Sequence, residues 1–174
     1  MKPRVELAPL RAEDRSTLAH LLQVYLHDFS ELLGELPRGD GRFDAGPRER
    51  FGGDAGQHAF LIRFGTGLAG FALLARGSRV SGDPAVMDMA EFFVVRGARR
   101  QRVGQSAAHA LFARFPGKWE VRVLLANERA LAFWQSCVGS FAHFDTSSWT
   151  APSGRTFTVL RFESRASEVI ARDG

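Results

Sequence analysis

Hydrophobic residues recur at helical spacing in three segments of the chain. In the first, apolar side chains over residues 18–29 follow an i, i+3, i+4, i+7 pattern. The second segment covers residues 105–115 and stops at Pro116, which cannot continue a helix. The third begins after Asn127, a good N-cap residue, and carries residues 130, 133, 134 and 137 on its inner face. The pattern predicts three amphipathic helices.

Shorter apolar runs between these segments predict strands at residues 5–7, 59–64, 68–76, 86–95, 119–125, 141–144 and 157–162. Glycine-containing turns at 65–67 and 153–154 predict hairpins. The helix over 105–115 lies between two strands, which predicts a central parallel β-α-β unit. Between 34 and 56 the composition changes to Gly, Pro, Arg and Asp, so we expect a long loop with a short helical piece near 48–51.

The predicted elements fit one α/β domain over residues 1–174, with its core at 5–162 and a C-terminal tail at 163–174. We expect a mixed, mostly antiparallel sheet of six to seven strands flanked by helices. A chain of 174 residues is long enough to bury a true core, roughly 70% of its extended-chain surface.

Composition narrows the classes of partner. The net charge is +4, and all but two of the 23 basic residues are arginines, so an anionic partner such as a phosphate group or a nucleic acid is expected. Cys137 is the single cysteine, which excludes an internal disulfide and a multi-cysteine metal site. No apolar run reaches the length of a membrane span and no signal-peptide core is found, so we expect a cytoplasmic protein without membrane contact.

The segment over residues 87–115 carries the strongest chemical signal. An apolar strand, MDMAEFFVV, runs into the turn RGARRQRVG, which opens directly onto the helix QSAAHALFARF. Backbone N–H groups and the positive end of the helix dipole converge there, and the turn adds four arginines. This arrangement predicts an anion site suited to a diphosphate.

This segment resembles the phosphate-binding motif of the GNAT N-acetyltransferases, which reads Arg or Gln, two residues, Gly, one residue, then Gly or Ala. In the favoured register Arg99 takes the first position, Arg102 replaces the first glycine and Gly104 takes the last position. The alternative register starts at Gln101 and ends at Ser106. A glycine is usual where Arg102 stands because the backbone comes close to phosphate there, sometimes at positive φ.

A second resemblance covers residues 127–134, NERALAFW, which is similar to the family's Asn-x-x-Ala-x-x-Phe-Tyr helix. The tyrosine that often protonates the leaving thiolate in the family is Trp134 here, and an indole N–H is not an acid near neutral pH. The two resemblances imply acetyl-CoA as acyl donor. The implied coenzyme-binding residues are Phe93, Val94, Val95, Arg99, Arg100, Gln101, Arg102, Val103, Gly104, Gln105, Ser106, Asn127, Phe133 and Trp134.

Glu91 is the candidate catalytic base. Strand alternation predicts that it shares a face with Met87, Met89, Phe93 and Val95, where burial would raise its pKa. The position resembles the strand glutamate that many family members use as a base. The alternative is a structural ion pair with an arginine, for which Arg122 on the neighbouring strand is the candidate.

The resemblance also implies an acceptor pocket at the end of the first helix. Its candidate substrate-binding residues are Tyr25, His27, Asp28 and Phe29. Tyr25 and Phe29 also fit a plain core stripe. The five histidines lack metal-ligand spacing, so no metal is expected.

The expected function is therefore acetyl transfer from acetyl-CoA to the amine of a small molecule or peptide by direct attack in a ternary complex, and a homodimer would fit the family. One alternative is a regulatory or sensing protein that binds acyl-CoA with little catalysis, as Arg102 and Trp134 would allow. A nucleic-acid-binding module is less favoured, because the aromatic residues follow core periodicity rather than interleaving with the basic run.

Overall fold

The computed structural model describes residues 4–165. It contains three α-helices and seven β-strands in the order β1 (Val5–Pro9), α1 (Arg15–Leu33), β2 (Gln57–Phe64), β3 (Gly67–Arg76), β4 (Met87–Val94), α2 (Val103–Arg114), β5 (Gly117–Leu124), α3 (Glu128–Gly139), β6 (Phe144–Thr150) and β7 (Thr156–Ser164). Most of the expected C-terminal tail lies outside the described residues, while 163–164 belong to β7. No helix within the described part of the chain has the length and apolar character needed to cross a membrane.

All seven strands form one sheet in the order β1-β2-β3-β4-β5-β7-β6. The β4–β5 pair is parallel and the five other pairs are antiparallel. The parallel pair is connected through α2, as a β-α-β unit requires. The predicted fold class is thus confirmed.

Helices cover the sheet on both faces. On one face Leu18 and Leu22 of α1 pack against Leu61, Phe71 and Leu73 of the sheet. On the other face α2 and α3 pack against a larger cluster centred on Trp119, whose aromatic members include Phe112 and Phe162. The apolar periodicity of the helices places the core correctly because each helix has one buried stripe.

The expected strand alternation through Glu91 is wrong at one step. Leu74 pairs with Met89 and Leu73 pairs with Glu91, so Ala90 is an extra residue on β4. This bulge leaves Met87 and Met89 in the α2–α3 cluster, whereas Phe93 joins the α1 cluster. Glu91 consequently faces α1 and not the methionines.

Two other predicted boundaries are corrected. The strand expected at 141–144 instead starts at Phe144 and runs to Thr150, with four consecutive exposed residues at 145–148. An edge strand of this polarity gives no apolar alternation to detect. Helix α2 begins at Val103, two residues before the predicted start, because Arg102 takes a left-handed conformation and acts as its N-cap.

β4 and β5 pair over three residues and then separate. Their register joins Met87, Met89 and the residue between them to Trp119–Val121, and none of the later β4 residues pairs with β5 in the described structure. The remainder of β4 pairs with β3 alone. The separation opens a gap in the middle of the sheet beside the start of α2.

The segment over residues 34–56, hereafter the strap, crosses the α1 face. It contains the short helix Gly46–Arg50 that the sequence predicted near this position. Gln23 of α1 holds the strap by a pair of hydrogen bonds to the backbone of Phe43, at 2.7 and 3.1 Å. Arg15 donates to the carbonyl of Phe51 at 2.6 Å, and Ala45 is buried. The strap is therefore attached to α1 on both sides of its helix.

Candidate functional site

The gap between β4 and β5 forms a cleft of about 1380 Å³. One wall comes from β4 and the start of α2, and the opposite wall comes from β5 and α3. The end of α1 closes the cleft at its far side through Tyr25, Asp28 and Phe29. Residues of the two sequence motifs and three of the four acceptor-pocket candidates therefore meet in one cavity.

The loop between β4 and α2 has the backbone that the motif requires. Arg100 and Arg102 both have φ of +60°, the left-handed region that costs a residue with a side chain about 1–2 kcal/mol. The first helical hydrogen bond runs from the Ser106 N–H to the Arg102 carbonyl at 2.9 Å. The N–H groups before Ser106 lie at the helix N-terminus, where they and the helix dipole attract an anion. This geometry favours the register in which Arg102 stands at the first glycine position.

The charge of Arg99 suggests a contact with phosphate, but its guanidinium binds groups of the protein. Its Nε donates to the Val94 carbonyl at 2.8 Å, and its Nη2 donates to Asp28 Oδ2 at 2.7 Å. Arg96 binds the other oxygen of Asp28 at 3.1 Å. Partial burial raises the pKa of Asp28, but the hydrogen bonds and charges of Arg99 and Arg96 lower it by more. The pKa of Asp28 therefore lies below its usual value. Asp28 thereby links α1 to the loop.

The edge of β4 presents backbone groups to the gap. The Val95 N–H donates to the Ala69 carbonyl of β3 at 2.8 Å. Since successive peptide groups of a strand point to opposite sides, the N–H groups of Phe92 and Val94 point toward the gap. Gly70 makes this pairing possible, because a Cβ there would lie 1.9 Å from the Phe93 carbonyl oxygen.

The α3 wall is built as the second motif predicts. Asn127 Oδ1 accepts a hydrogen bond from the Ala130 N–H at 3.1 Å and so caps the helix. Phe133 contacts the start of α2, where a Cβ on Gly104 would lie 3.1 Å from its Cζ. Trp134 is buried against Phe92, with 5.0 Å between ring centroids. A glycine at 104 therefore lets the two motif helices approach each other.

Glu91 has two partners. The Tyr25 hydroxyl donates to its Oε2, and Arg48 Nε donates to its Oε1 at 2.6 Å. Burial, together with the charge and hydrogen bond of Glu91, raises the pKa of Tyr25 well above its usual value of 10.0. Glu91 retains 17% side-chain exposure and lines the cleft. A titratable carboxylate held on two sides thus borders the cavity.

The arginine expected to pair with Glu91 is not its partner. Arg122 donates two hydrogen bonds to Asp88, at 3.0 and 2.7 Å, and Asp88 is fully buried. The Arg48 that does pair with Glu91 lies 43 residues earlier, in the strap. The ion-pair alternative was therefore correct about the kind of contact and wrong about the residue.

Most predicted binding residues line the cleft, but four do not. Val95 and Gln101 lie on the loop outside the lining, Ser106 is exposed on α2, and His27 is exposed beside Phe43 of the strap. The predicted residues that do line the cleft are Tyr25, Asp28, Phe29, Glu91, Phe93, Val94, Arg99, Arg100, Arg102, Val103, Gly104, Gln105, Asn127, Phe133 and Trp134.

Arg48, which is connected to the cleft through its contact with Glu91, is a residue that sequence reasoning missed. Its only signal was the short helical piece predicted in the long loop, which carries no information about which strand it contacts. Cys137, by contrast, sits as its helical spacing predicts. Burial raises its pKa to about 12, which keeps the thiol protonated near neutral pH.

Comparison with known proteins finds no matching family model and no matching curated sequence. Solved structures do match over nearly the whole chain. An acetyltransferase from Thermus thermophilus has a TM-score of 0.69 at 19% identity, with coverage of 94% of this chain and 99% of that one. A GNAT-family acetyltransferase from Staphylococcus aureus has a TM-score of 0.62 at 12% identity, with coverage of 93% and 100%.

A third similar structure is the spermidine N-acetyltransferase from Vibrio cholerae, in complex with CoA and spermine. Its TM-score is 0.59 at 8% identity, and the match covers 92% of this chain and 95% of that one. At such identities the likeness concerns the fold. The chain has the fold of the GNAT N-acetyltransferases, as its motifs predicted.

Proposed function

We propose that the protein is an acyl-CoA-dependent N-acyltransferase that transfers acetyl from acetyl-CoA to a primary amine. The observation that carries this proposal is the cleft itself. It joins a helix N-terminus, a loop with two arginines at positive φ and the separated edges of β4 and β5. The similarity to acetyltransferase structures supports the same conclusion.

In this proposal the donor lies along the α2–α3 side of the cleft. Its diphosphate binds the N–H groups at the start of α2 and the guanidinium groups of Arg100 and Arg102. Arg99 does not bind the diphosphate but holds the loop in place through its hydrogen bonds to the Val94 carbonyl and Asp28. The pantetheine arm follows the gap between β4 and β5 past Asn127, and the thioester carbonyl accepts a hydrogen bond from the Val94 N–H.

The acceptor enters on the α1 side, beside Tyr25 and Phe29. Its ammonium group gives a proton to Glu91, directly or through water, and the neutral amine attacks the thioester carbonyl. A C–N bond forms, the C–S bond breaks and coenzyme A leaves as a thiolate. The nitrogen loses a second proton as the amide forms. Because Trp134 has no acidic proton at neutral pH, the thiolate takes up that proton, directly or through solvent.

A transfer assay tests the proposal. The purified protein is incubated with acetyl-CoA and a panel of primary amines, and acetylated products are identified by mass spectrometry. We expect product formation in step with release of the coenzyme A thiol. Donor binding without product from any amine would contradict the enzymatic function.

A second candidate is an acyl-CoA-binding sensor with little catalysis. Two observations favour it: Arg48 occupies one oxygen of Glu91, and Trp134 replaces the usual acid. A sensor would bind acetyl-CoA as an enzyme does. The transfer assay separates the two, since only the enzyme forms an acetylated amine.

A further inference from the structure

Arg48 places its guanidinium on Glu91, the carboxylate that is proposed to bind the ammonium group of the acceptor. Tyr25 donates to one carboxylate oxygen of Glu91, and Arg48 donates to the other. An acceptor ammonium that binds Glu91 brings a second cation to this carboxylate, and it can take over either oxygen from its present partner. Tyr25 is buried in the packing of α1, whereas the Arg48 side chain is 37% exposed. Arg48 is therefore the partner that can be displaced.

A displaced Arg48 side chain would stay beside the site. The strap is fastened to α1 before the short helix by Gln23 and after it by Arg15. Ala45 and Phe51, which flank the helix, are buried. The backbone that carries Arg48 is thus held in place, so only its flexible side chain has to move.

Charge balance then restricts the acceptor. A plain amine that replaced Arg48 on Glu91 would leave the guanidinium without its counter-ion. An acceptor that carries a carboxylate next to its amine would pair with both groups, so the two charges stay compensated. Three other arginines that line the cleft already have carboxylate partners, because Arg122 binds Asp88, while Arg96 and Arg99 bind Asp28. Arg100 and Arg102 are the arginines assigned above to the donor's diphosphate.

We propose that the acceptor is a free α-amino acid, whose ammonium binds Glu91 and whose carboxylate binds Arg48. Its side chain extends along the cleft toward Phe29 and the partly exposed Leu32, both on α1. This inference rests on the proposed N-acyltransferase function and names the acceptor class for the same site. It assigns Arg48 as a substrate-binding residue.

Three acceptors that differ only at the carboxylate test the inference. The values of kcat/KM for L-phenylalanine, L-phenylalaninamide and 2-phenylethylamine are compared at saturating acetyl-CoA. L-alanine, L-alaninamide and ethylamine repeat the comparison with a smaller side chain. We expect kcat/KM for the free amino acid to be about tenfold higher or more, because only its carboxylate forms a charge-assisted hydrogen bond with Arg48.

Variants at position 48 separate binding from folding. Arg48→Gln should raise KM for the amino acid and remove the preference, with the KM for acetyl-CoA unchanged. Arg48→Lys keeps the charge and should retain part of the preference, which a purely structural role would not predict. Arg50→Gln changes an exposed arginine of the same short helix and serves as the control.

The outcomes also distinguish this inference from the function on which it rests. Equal use of all three acceptors, or an equal loss for all three in Arg48→Gln, would overturn the amino-acid assignment and leave the transferase standing. Failure to acetylate any amine, with acetyl-CoA bound, would overturn both.

Discussion

Arg99 of the β4–α2 loop and Asp28 of α1 form an ion pair at 2.7 Å, although 71 residues separate them in the chain. The same guanidinium closes its own loop through the Val94 carbonyl. Helix α1, on the proposed acceptor side, is therefore fastened to the loop that is proposed to hold the donor's diphosphate. Of the four arginines in this loop, Arg100 and Arg102 remain for the diphosphate, and both line the cleft.

Asp28→Asn should reduce stability, and the size of the effect should depend on pH. Because the folded pKa of Asp28 lies below the usual value of 3.8, its contribution is present above that pH and is lost as pH falls through the folded pKa. We expect a loss of about 1 kcal/mol or less at pH 7, since both arginines are substantially exposed.

Urea unfolding of the wild type and the variant checks this, from neutral pH down to the lowest pH at which both unfold cooperatively. Glu35→Gln removes an ion pair with Arg155 in which both side chains are about half exposed, and serves as the control. A difference between wild type and Asp28→Asn that grows as pH falls would contradict the assigned role.

The left-handed backbone at Arg102 predicts an unusual order of stabilities. Arg102→Gly and Arg102→Ala remove the same charge, but only glycine adopts φ of +60° without steric cost. The glycine variant should be more stable than the alanine variant by roughly 1 kcal/mol. Chemical denaturation of the two proteins measures the difference directly. Equal stability, or a more stable alanine variant, would show that the loop is not strained at this residue.

The contact between Tyr25 and Glu91 can be tested by ultraviolet absorption, because Tyr25 is the single tyrosine of the chain. Its raised pKa means that the folded state holds the phenolic proton more tightly than the unfolded state does. The corresponding stability is complete below the unfolded pKa and is lost as pH rises above about 10. Ultraviolet titration should show tyrosinate forming at higher pH in native protein than in guanidinium chloride. Coincident titrations would exclude the buried contact with Glu91.

Glu91→Gln tests the proposed base. The amide keeps the shape of the side chain but accepts no proton, so kcat at pH 7 should fall by about 10²-fold or more. Binding of acetyl-CoA should be unchanged, since Glu91 lies on the acceptor side. Glu163→Gln, an exposed glutamate on β7, is the control. A loss below about fivefold with intact donor binding would assign Glu91 a structural role only.

Local patterns predicted those parts of the fold that depend on nearby residues. The apolar stripes of α1, α2 and α3, the cap at Asn127 and the parallel β-α-β unit follow from spacing and capping chemistry. The positive φ at Arg102 follows from its place in the motif. The bounds of the edge strand β6 were not predicted, because its exposed residues show no alternation of apolar and polar side chains.

The partners of the charged groups could not be predicted in the same way. One extra residue at Ala90 turns Glu91 toward α1, and apolar alternation contains no signal for a single bulge. Arg48 reaches Glu91 from a segment whose composition indicates only a loop. With many arginines in the chain, the choice among Arg48, Arg122 and others depends on tertiary distances.

The central claim is that the β4–α2 loop binds the diphosphate of an acyl-CoA, and unfolding with and without acetyl-CoA tests it most directly. At about 100 times its dissociation constant the donor should add about 2.7 kcal/mol to the free energy of unfolding. Arg100→Gln/Arg102→Gln should lose most of this gain, whereas Arg4→Gln/Arg63→Gln, which removes two exposed arginines elsewhere, should keep it. S-acetylpantetheine, which lacks the diphosphate, should stabilise the wild type far less. No stabilisation of the wild type by acetyl-CoA, or an equal gain in the loop variant, would contradict the account.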